Sequence, residues 1–284
     1  MPPAIRPSFV ETIHHDIYDA VDPRTALANT ARGKTVLITG AGRGIGRSIA
    51  IAFAQAGADR LVLTARTAAQ LDAVANEIKA ISNQVEVITI PTDVANESEV
   101  DALFRGIQGK VDILVNNAGT SENFRPLAET ETTDWWHTWE VNVKGIYMLT
   151  TYFLKKYGSI GTIINISSIG STLTSPTFSA YQCGKTAVNR ITHFIHTEYP
   201  NVRAFAYHPG GVKTELAKKA PERIQHLFID SPELAAGYSV WLTTEQADFL
   251  RGRYSDCTWD VNELMKNAQV IVEKDLLKQE IKMD

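Results

Sequence analysis

Cysteine is scarce in this sequence: the 284 residues include only Cys183 and Cys257. So few thiols cannot form the disulfide framework of a small secreted protein, and they offer no cysteine cluster for a metal. His193 and His196 are three residues apart but have no acidic or cysteine partner at ligand spacing. We therefore expect a reducing, cytoplasmic location, no disulfide framework and no metal site.

Long hydrophobic runs and an excess of positive charge are also missing. No apolar run approaches the roughly 20 residues that a helix needs to cross a bilayer. Charged residues such as Glu11, Asp16 and Asp19 interrupt the segment in which a signal peptide would have its apolar core. The formal net charge is -4, and nucleic acids or anionic membranes require a basic patch. The sequence therefore predicts a soluble protein that binds neither nucleic acid nor membrane.

From Lys34 onward, apolar runs rich in β-branched residues alternate with segments of helical periodicity. Thr35–Thr39, the first such run, is typical of a buried parallel strand. This alternation predicts an α/β fold, a single-domain doubly wound parallel sheet with helices on both faces, which binds ligands at the carboxyl ends of its strands. The predicted strands are 35–39, 60–64, 85–90, 111–115, 161–166, 201–207 and 252–257, and a long helix is predicted over about 132–157.

Residues 1–32 precede this alternation and contain apolar residues such as Phe9, Ile13 and Ile17, too many for a free tail. We interpret them as an ordered arm packed on the domain or on a partner subunit, with a disordered leader as the alternative. Residues 33–284 form the predicted domain. Within it, 214–230 is the predicted substrate lid and 261–282 a charged closing tail with helical character.

A glycine loop follows the first predicted strand, with the spacing Thr39-Gly40-x-x-x-Gly44-x-Gly46. Glycines let backbone N–H groups approach a pyrophosphate, and the following helix supplies positive potential at its N-terminus. A strand, a glycine turn and a helix in this order indicate a dinucleotide site, and a tight turn without a ligand is the alternative.

The choice of dinucleotide depends on the end of the second strand. A carboxylate there would hold the adenosine ribose of NAD, but the sequence is Thr64-Ala65-Arg66-Thr67. Arg66 could bind a 2′-phosphate, with Arg43 of the glycine loop as a second guanidinium. This favours NADP, unless both arginines are merely solvated.

Further polar or small residues follow the later strands. Asp93 could accept from an adenine amino group, although helix capping by Asp93 or Asn96 is the alternative. Asn116–Gly119 suits a backbone that lies against a dinucleotide. The turn Pro209–Thr214 brings Thr214 near the same edge of the sheet.

The residues with the most specific chemistry are Tyr181 and Lys185, four apart and so on one helical face, with Ser168 thirteen residues before Tyr181. An ammonium group near a phenol can lower the pKa of the phenol by about 1–3 units. The phenol then comes into the pKa range in which it can exchange a proton with a carbonyl or an alcohol. Ser168 could polarise the same oxygen. Asn142, in an apolar part of the long helix, could bind a relay water or serve packing alone.

The order of these motifs resembles the short-chain dehydrogenase/reductase family over roughly Lys34 to Asp260. The resemblance implies a Rossmann-type fold in which Tyr181 is the catalytic acid/base and Lys185 holds the nicotinamide ribose. It further implies that Ser168 orients the carbonyl and that Asn142 anchors the relay water. The implied cofactor-binding residues are Gly40, Arg43, Gly44, Ile45, Gly46, Arg66, Asp93, Val94, Asn117, Ala118, Gly119, Tyr181, Lys185, Pro209, Gly210, Val212 and Thr214.

The implied roles within that set differ. Asp93 and Val94 would form the adenine pocket, Asn117 a cofactor-side contact, and Val212 and Thr214 the carboxamide and phosphate contacts. The chain departs from the family in its long arm and in Cys183-Gly184, where the family often has a small residue and a serine. Glycine in the middle of a helix costs about 1 kcal/mol.

These observations predict an NADP(H)-dependent oxidoreductase that interconverts a carbonyl and a secondary alcohol. An NADP-bound epimerase, dehydratase or cyclase on the same fold and a non-catalytic cofactor-binding protein are the alternatives. The resemblance implies a homo-dimer or homo-tetramer. Trp135, Trp136 and Trp139 would serve helix or subunit packing rather than substrate contact. The predicted substrate segments 120–127, 169–178 and 211–228 are partly apolar, which suggests a medium-sized, partly apolar substrate.

Overall fold

A computed structural model describes residues 8–280 of the chain. Residues 1–7 of the predicted arm and residues 281–284, including the end of the predicted tail, lie outside the described residues.

The core of the molecule is a seven-stranded sheet in which every neighbouring pair of strands is parallel. The strands are β1 (Thr35–Thr39), β2 (Arg60–Thr64), β3 (Glu86–Thr89), β4 (Ile113–Asn116), β5 (Gly161–Ile166), β6 (Val202–His208) and β7 (Tyr254–Asp256). The strand order is β3-β2-β1-β4-β5-β6-β7, so the chain reverses direction across the sheet after β3, and the carboxyl ends of β1 and β4 mark the switch point. The predicted doubly wound parallel sheet is confirmed.

Helices cover both faces of the sheet, and alternate residues of each strand point to opposite faces. The helices are α1 (Gly44–Gln55), α2 (Ala68–Ile81), α3 (Glu97–Gly106), α4 (Thr132–Trp139), α5 (Gly145–Tyr157), α6 (Ser179–Glu198), α7 (Glu215–Lys218), α8 (Glu222–Gln225), α9 (Pro232–Trp241), α10 (Val261–Lys266) and α11 (Ala268–Glu273). Val36 and Ile38 join one apolar cluster, with α1, α2 and α9, whereas Leu37 joins a second one, with α3, α5 and α6.

The long helix predicted over 132–157 is interrupted. A π-helical segment, Glu140–Lys144, separates α4 from α5. Wide turns of this kind occur often at functional sites because they reorient side chains within an otherwise continuous helix. Here the wide turn carries Asn142.

Residues 8–33 pack against their own chain. Val21, Leu27 and Ala31 are buried in the same cluster as α1 and α9. Farther along the surface, Ile13 forms an antiparallel bridge with Trp259. The arm therefore covers one helical layer and reaches the segment after β7.

Both cysteines are free; Cys183 is exposed and Cys257 is buried. Across residues 8–280, no helix is long and apolar enough to span a membrane. In the same range, no group of three or more histidine, cysteine, aspartate or glutamate residues is arranged to hold a metal.

Candidate active site

The glycine loop between β1 and α1 leaves no room for a side chain where its two ends, Gly40 and Gly46, meet. A Cβ on Gly46 would lie 2.2 Å from the carbonyl oxygen of Gly40 and 2.4 Å from Nδ2 of Asn117. Gly40 has a φ of 64°, a backbone conformation that favours glycine. The side chain of Arg43, at the N-cap of α1, does not cap the helix. The first backbone N–H groups of α1 can therefore bind an anion.

Asn117 supports this loop from the end of β4. Its Nδ2 donates to the carbonyl oxygens of Thr39 at 2.8 Å and Gly40 at 3.2 Å. The backbone N–H groups of Asn117 and Ala118 both donate to the Thr39 hydroxyl. The Asn117 amide, which the resemblance assigns to a cofactor-side contact, is thus turned toward the glycine loop and holds it against β4.

The turn after β6 meets the start of α1. A Cβ on Gly44 would lie 3.3 Å from Cγ2 of Thr214. Asp230 holds this turn because it accepts the backbone N–H of Gly211 and is itself bonded to His15 of the arm. A cavity of about 230 Å³ is lined by Gly44, Val212, Lys213, Thr214, Phe228, Ile229, Asp230 and Pro232, and three of the predicted cofactor residues are among them.

The two arginines that favoured NADP lie on neighbouring turns. A Cβ on Gly42 would lie 3.6 Å from Cβ of Ala65, so the glycine loop touches the turn after β2. Arg43 and Arg66, the next residues along each turn, are both exposed. Neither guanidinium forms a salt bridge within residues 8–280.

The residues after β3 are committed to local structure. Oδ1 of Asp93 accepts the N–H of Ala95 at 3.0 Å, and the Asp93 N–H donates to Glu99. Asn96 supplies the N-cap of α3, as one of the sequence alternatives proposed. Val94 is buried against the start of α5. A contact between Asp93 or Val94 and an adenine remains a prediction.

Both the oxygen and the nitrogen of the Asn142 side-chain amide bond to one neighbour. Its Oδ1 accepts from the N–H of Thr120 at 2.9 Å, and its Nδ2 donates to the carbonyl oxygen of Thr120 at 2.8 Å. Asn142 therefore fixes the loop after β4 to the π-helical segment. A relay water held by Asn142 remains a prediction.

Ser168, Tyr181 and Lys185 come together beyond the carboxyl end of β5. Lys185 is 4% exposed, and its Nζ donates to the carbonyl oxygen of Ile166 at 2.7 Å. The same Nζ lies 5.7 Å from the centre of the partly exposed Tyr181 ring. A Cβ on Gly119 would lie 3.8 Å from this ammonium, so the loop after β4 borders the group. The phenol and the amine thus share one site.

The pKa of Tyr181 does not follow the expectation from sequence. Although the residue is partly exposed, its surroundings desolvate the phenol and raise the pKa above its usual value of 10.0. Hydrogen bonding with Ser168 lowers the pKa by less, and the charge of Glu122 raises it further. Burial also lowers the pKa of Lys185 to about 8. The predicted net lowering of the phenol pKa by the ammonium is therefore wrong for this structure, because the surroundings that bring both groups together also desolvate them.

Aromatic side chains stand beside this group. The rings of Phe124 and Phe178 lie 4.5 Å apart, and the Arg223 guanidinium of α8 lies 5.8 Å from the centre of Phe178. Arg223 also donates to the carbonyl oxygen of Pro176 at 2.9 Å. The segment 214–230, the predicted lid, thus contacts the segment between Ser168 and Tyr181.

The tryptophans of α4 pack mainly on one another. Trp135 and Trp139 stack at 5.5 Å, and Trp136 meets both rings edge-on. Trp135 also donates through Nε1 to the Ser179 hydroxyl at 3.0 Å, which connects α4 to the start of α6. These contacts agree with a packing role.

A family model described as short chain dehydrogenase matches residues 34–225. The chain belongs to the short-chain dehydrogenase/reductase family. It is 45% identical to the short chain dehydrogenase mpl6 of Monascus purpureus, with 98% of this chain and 97% of that protein covered. It is 37% identical to the short chain dehydrogenase andI of Emericella variicolor, with 95% of each covered.

Solved structures of family members are similar as well. A 3-ketoacyl-(acyl-carrier-protein) reductase from Brucella melitensis, complexed with NADH, has a TM-score of 0.72 and 29% identity over 80% of this chain and 97% of that one. An alcohol dehydrogenase from Thermococcus sibiricus, complexed with 5-hydroxy-NADP, has a TM-score of 0.66 and 30% identity over 74% and 89%. The two complexes hold different dinucleotide types, so they do not decide between NAD and NADP for this dehydrogenase.

One residue of this short-chain dehydrogenase was missed by the sequence reasoning. Glu122, after β4, accepts backbone N–H groups at the start of α6. Phe178, at the N-cap of this 20-residue helix, has no side-chain acceptor, which leaves the first N–H groups open to an acceptor from elsewhere but does not identify Glu122.

Proposed function

We propose that this short-chain dehydrogenase interconverts a carbonyl and a secondary alcohol with NADP(H). The observation that carries the proposal is the convergence of Tyr181, Ser168 and Lys185 at the same edge of the sheet as the crowded glycine loop. A backbone cradle that excludes side chains beside a polar proton-transfer group suits a dinucleotide and a small carbonyl compound.

The chain's own residues have separate tasks in this mechanism. Tyr181 donates a proton to the substrate oxygen in reduction and removes it in oxidation, while the Ser168 hydroxyl binds the same oxygen and orients it. Lys185, fixed by the carbonyl oxygen of Ile166, holds the nicotinamide ribose. The nicotinamide supplies or receives the hydride when it is bound. Because the phenol has a raised pKa, Tyr181 keeps its proton over a wide pH range, which suits the reductive direction.

Arg43 and Arg66 support the preference for NADP. Both are exposed beside the glycine loop, where a 2′-phosphate could form charge-assisted hydrogen bonds with them. Fluorescence titration with NADPH and NADH decides the preference. We expect tighter NADPH binding, which the double variant Arg43→Ala/Arg66→Ala loses while its NADH affinity stays unchanged. Equal or tighter NADH binding by the unaltered protein would reject the proposal.

The substrate and assembly proposals rest on aromatic side chains. Phe124 and Phe178 offer an apolar wall for a partly apolar substrate.

Trp136, Tyr147 and Phe194, on α4, α5 and α6, are 55%, 60% and 53% exposed, which supports self-association through these helices. Sedimentation analysis would test it: a dimer or tetramer is expected, and a monomer would contradict it. The free, exposed thiol of Cys183 agrees with a cytoplasmic location.

The test of the proposed function is the variant Tyr181→Phe, which keeps the ring and removes the hydroxyl. Ketones and alcohols are screened for NADPH oxidation and NADP reduction with both proteins. We expect turnover by the unaltered protein, its loss in the variant, and NADPH binding that is nearly the same in both. Full activity of the variant would remove the mechanism, and product formation without NADPH consumption would favour an isomerisation or elimination.

A further inference from the structure

The N-terminus of α6 depends on a carboxylate that is distant in sequence. Oε1 of Glu122 accepts the N–H of Ala180 at 2.9 Å, and the N–H of Tyr181 reaches Oε1 at 3.2 Å and Oε2 at 3.1 Å. Phe178, at the N-cap, provides no side-chain acceptor. Glu122 therefore binds the turn of the helix in which Tyr181 lies.

Burial makes this contact unusual. Glu122 is 1% exposed, and an ionised carboxylate is costly to bury unless charges or hydrogen bonds compensate it. Compensation comes from the N–H groups and from the positive end of a 20-residue helix. A negative charge is thus held inside the protein, next to the residue proposed as the proton donor.

Few charged groups face Tyr181. Lys185 approaches the ring from the same helix, Glu122 approaches from the loop after β4, and Ser168 contributes a neutral hydroxyl from the segment after β5. The Glu122 charge raises the pKa of Tyr181, although burial is the larger cause.

We propose that Glu122 is a positioning residue for Tyr181: its buried carboxylate, bonded to the N–H groups of Ala180 and Tyr181, fixes the first turn of α6. This inference rests on the proposed function, in which Tyr181 exchanges a proton with the substrate. It separates two tasks within one side chain. The hydrogen bonds fix the position of Tyr181, and the charge extends the pH range over which its phenol stays protonated.

Two variants separate these tasks. Glu122→Gln keeps the length of the side chain and one acceptor oxygen but removes the charge, whereas Glu122→Ala removes both. Without the negative charge the phenolate becomes more stable, so the pKa of Tyr181 falls. In Glu122→Gln we expect Tyr181 to titrate on the order of 1 pH unit lower, the smaller end of the effect of a nearby charge.

The measurement is an ultraviolet difference titration of the phenol, each protein compared with the same protein carrying Tyr181→Phe. The pH above which kcat/KM for carbonyl reduction falls should shift to lower pH by the same amount. In Glu122→Ala, displacement of the first turn should also lower kcat by roughly 10- to 100-fold with unchanged cofactor affinity. Thermal unfolding shows whether either variant remains folded, and Glu122→Gln carries the test if Glu122→Ala does not.

The matched control is Asp112→Asn. Oδ2 of Asp112 also accepts a backbone N–H, that of Thr35 at 3.0 Å, but at the opposite, amino-terminal edge of the sheet. This variant should leave the Tyr181 titration unchanged. An unshifted titration in Glu122→Gln would overturn the inference, as would normal kcat in a folded Glu122→Ala. If Tyr181→Phe keeps turnover, the proposed function fails, and the titration, which needs no turnover, still decides the effect of Glu122.

Discussion

His15 of the arm and Asp230 before α9 are directly joined, with Nδ1 of His15 2.6 Å from Oδ1 of Asp230. The other carboxylate oxygen accepts the N–H of Gly211, and the backbone N–H of Ser231 donates to the carbonyl oxygen of His15 at 2.8 Å. The arm therefore supports the turn after β6 that carries Val212 into the cavity next to the glycine loop.

Replacing His15 should weaken cofactor binding. In His15→Ala the Asp230 carboxylate loses one hydrogen-bond partner and holds the turn at Gly211 less firmly. We therefore expect the cofactor Kd to rise by up to about fivefold, a loss of ~1 kcal/mol in binding free energy. Fluorescence titration measures it. His15→Asn, whose amide nitrogen can take the place of Nδ1, should restore most of the affinity. An unchanged Kd in His15→Ala would show that the arm does not support the site.

A methyl group on Gly46 should abolish dinucleotide binding. The added Cβ would lie 2.2 Å from the backbone oxygen of Gly40, so the loop must shift away from β1. We expect Gly46→Ala to lose NADPH binding by at least about tenfold and to unfold at lower temperature, because the displaced backbone cannot relax without loss of contacts. Calorimetric titration and thermal unfolding measure these effects. Wild-type affinity would show that the loop does not bind the dinucleotide.

Gly184 should behave in the opposite way. A Cβ there would lie 3.5 Å from Cγ2 of Val143, an ordinary contact, within the regular helix α6. Alanine lowers the entropy of the unfolded chain, so Gly184→Ala should raise the free energy of unfolding by about 0.5–1 kcal/mol. Urea denaturation measures it. A loss of stability would mean that the π-helical segment needs a glycine opposite it.

The buried amine of Lys185 predicts a specific pH dependence of stability. Its pKa is about 8 in the folded protein, below the ordinary value of 10.5. Below about pH 8 the amine is protonated in both the folded and the unfolded protein, and its burial destabilises the fold. Between pH 8 and 10.5 the amine keeps its proton only in the unfolded protein, so the free energy of unfolding rises with pH.

The variant Lys185→Met removes this cost. The free energy of unfolding of Lys185→Met minus that of the unaltered protein should be larger at pH about 7 than at pH about 10, by about 1–3 kcal/mol. Denaturant titration at the two pH values measures the difference. The exposed Lys79, as Lys79→Met, serves as control and should show none. The same relative stability at both pH values would contradict a lowered pKa for Lys185.

Local pattern was enough to predict much of this fold. The β-branched run at Thr35–Thr39 and the alternation after it gave the strands to within about two residues and the helices on both faces. The glycine spacing also marked where side chains could not fit, because the requirement at Gly46 arises from the turn that directly follows the strand. Tyr181 and Lys185 share a face for an equally local reason, their separation along one helix.

Features that depend on distant contacts could not be predicted in this way. Glu122 and Ala180 are 58 residues apart in sequence, and no periodicity connects them. The orientation of the Asn117 amide depends on how closely β4 approaches the glycine loop. The direction of the Tyr181 pKa shift depends on desolvation, which the packing of several segments determines together. The wide turn at Asn142 also gives no signal in a helical pattern of apolar residues.

The contact between Gly237 and the arm has a practical consequence. A Cβ on Gly237 would lie 2.2 Å from the carbonyl oxygen of Val21, so the arm runs against α9 without a side chain between them. The family match begins only at residue 34. A protein that begins at residue 34 would expose the apolar surface of α1 and α9 that Val21, Leu27 and Ala31 cover. We expect this shortened protein to aggregate during expression.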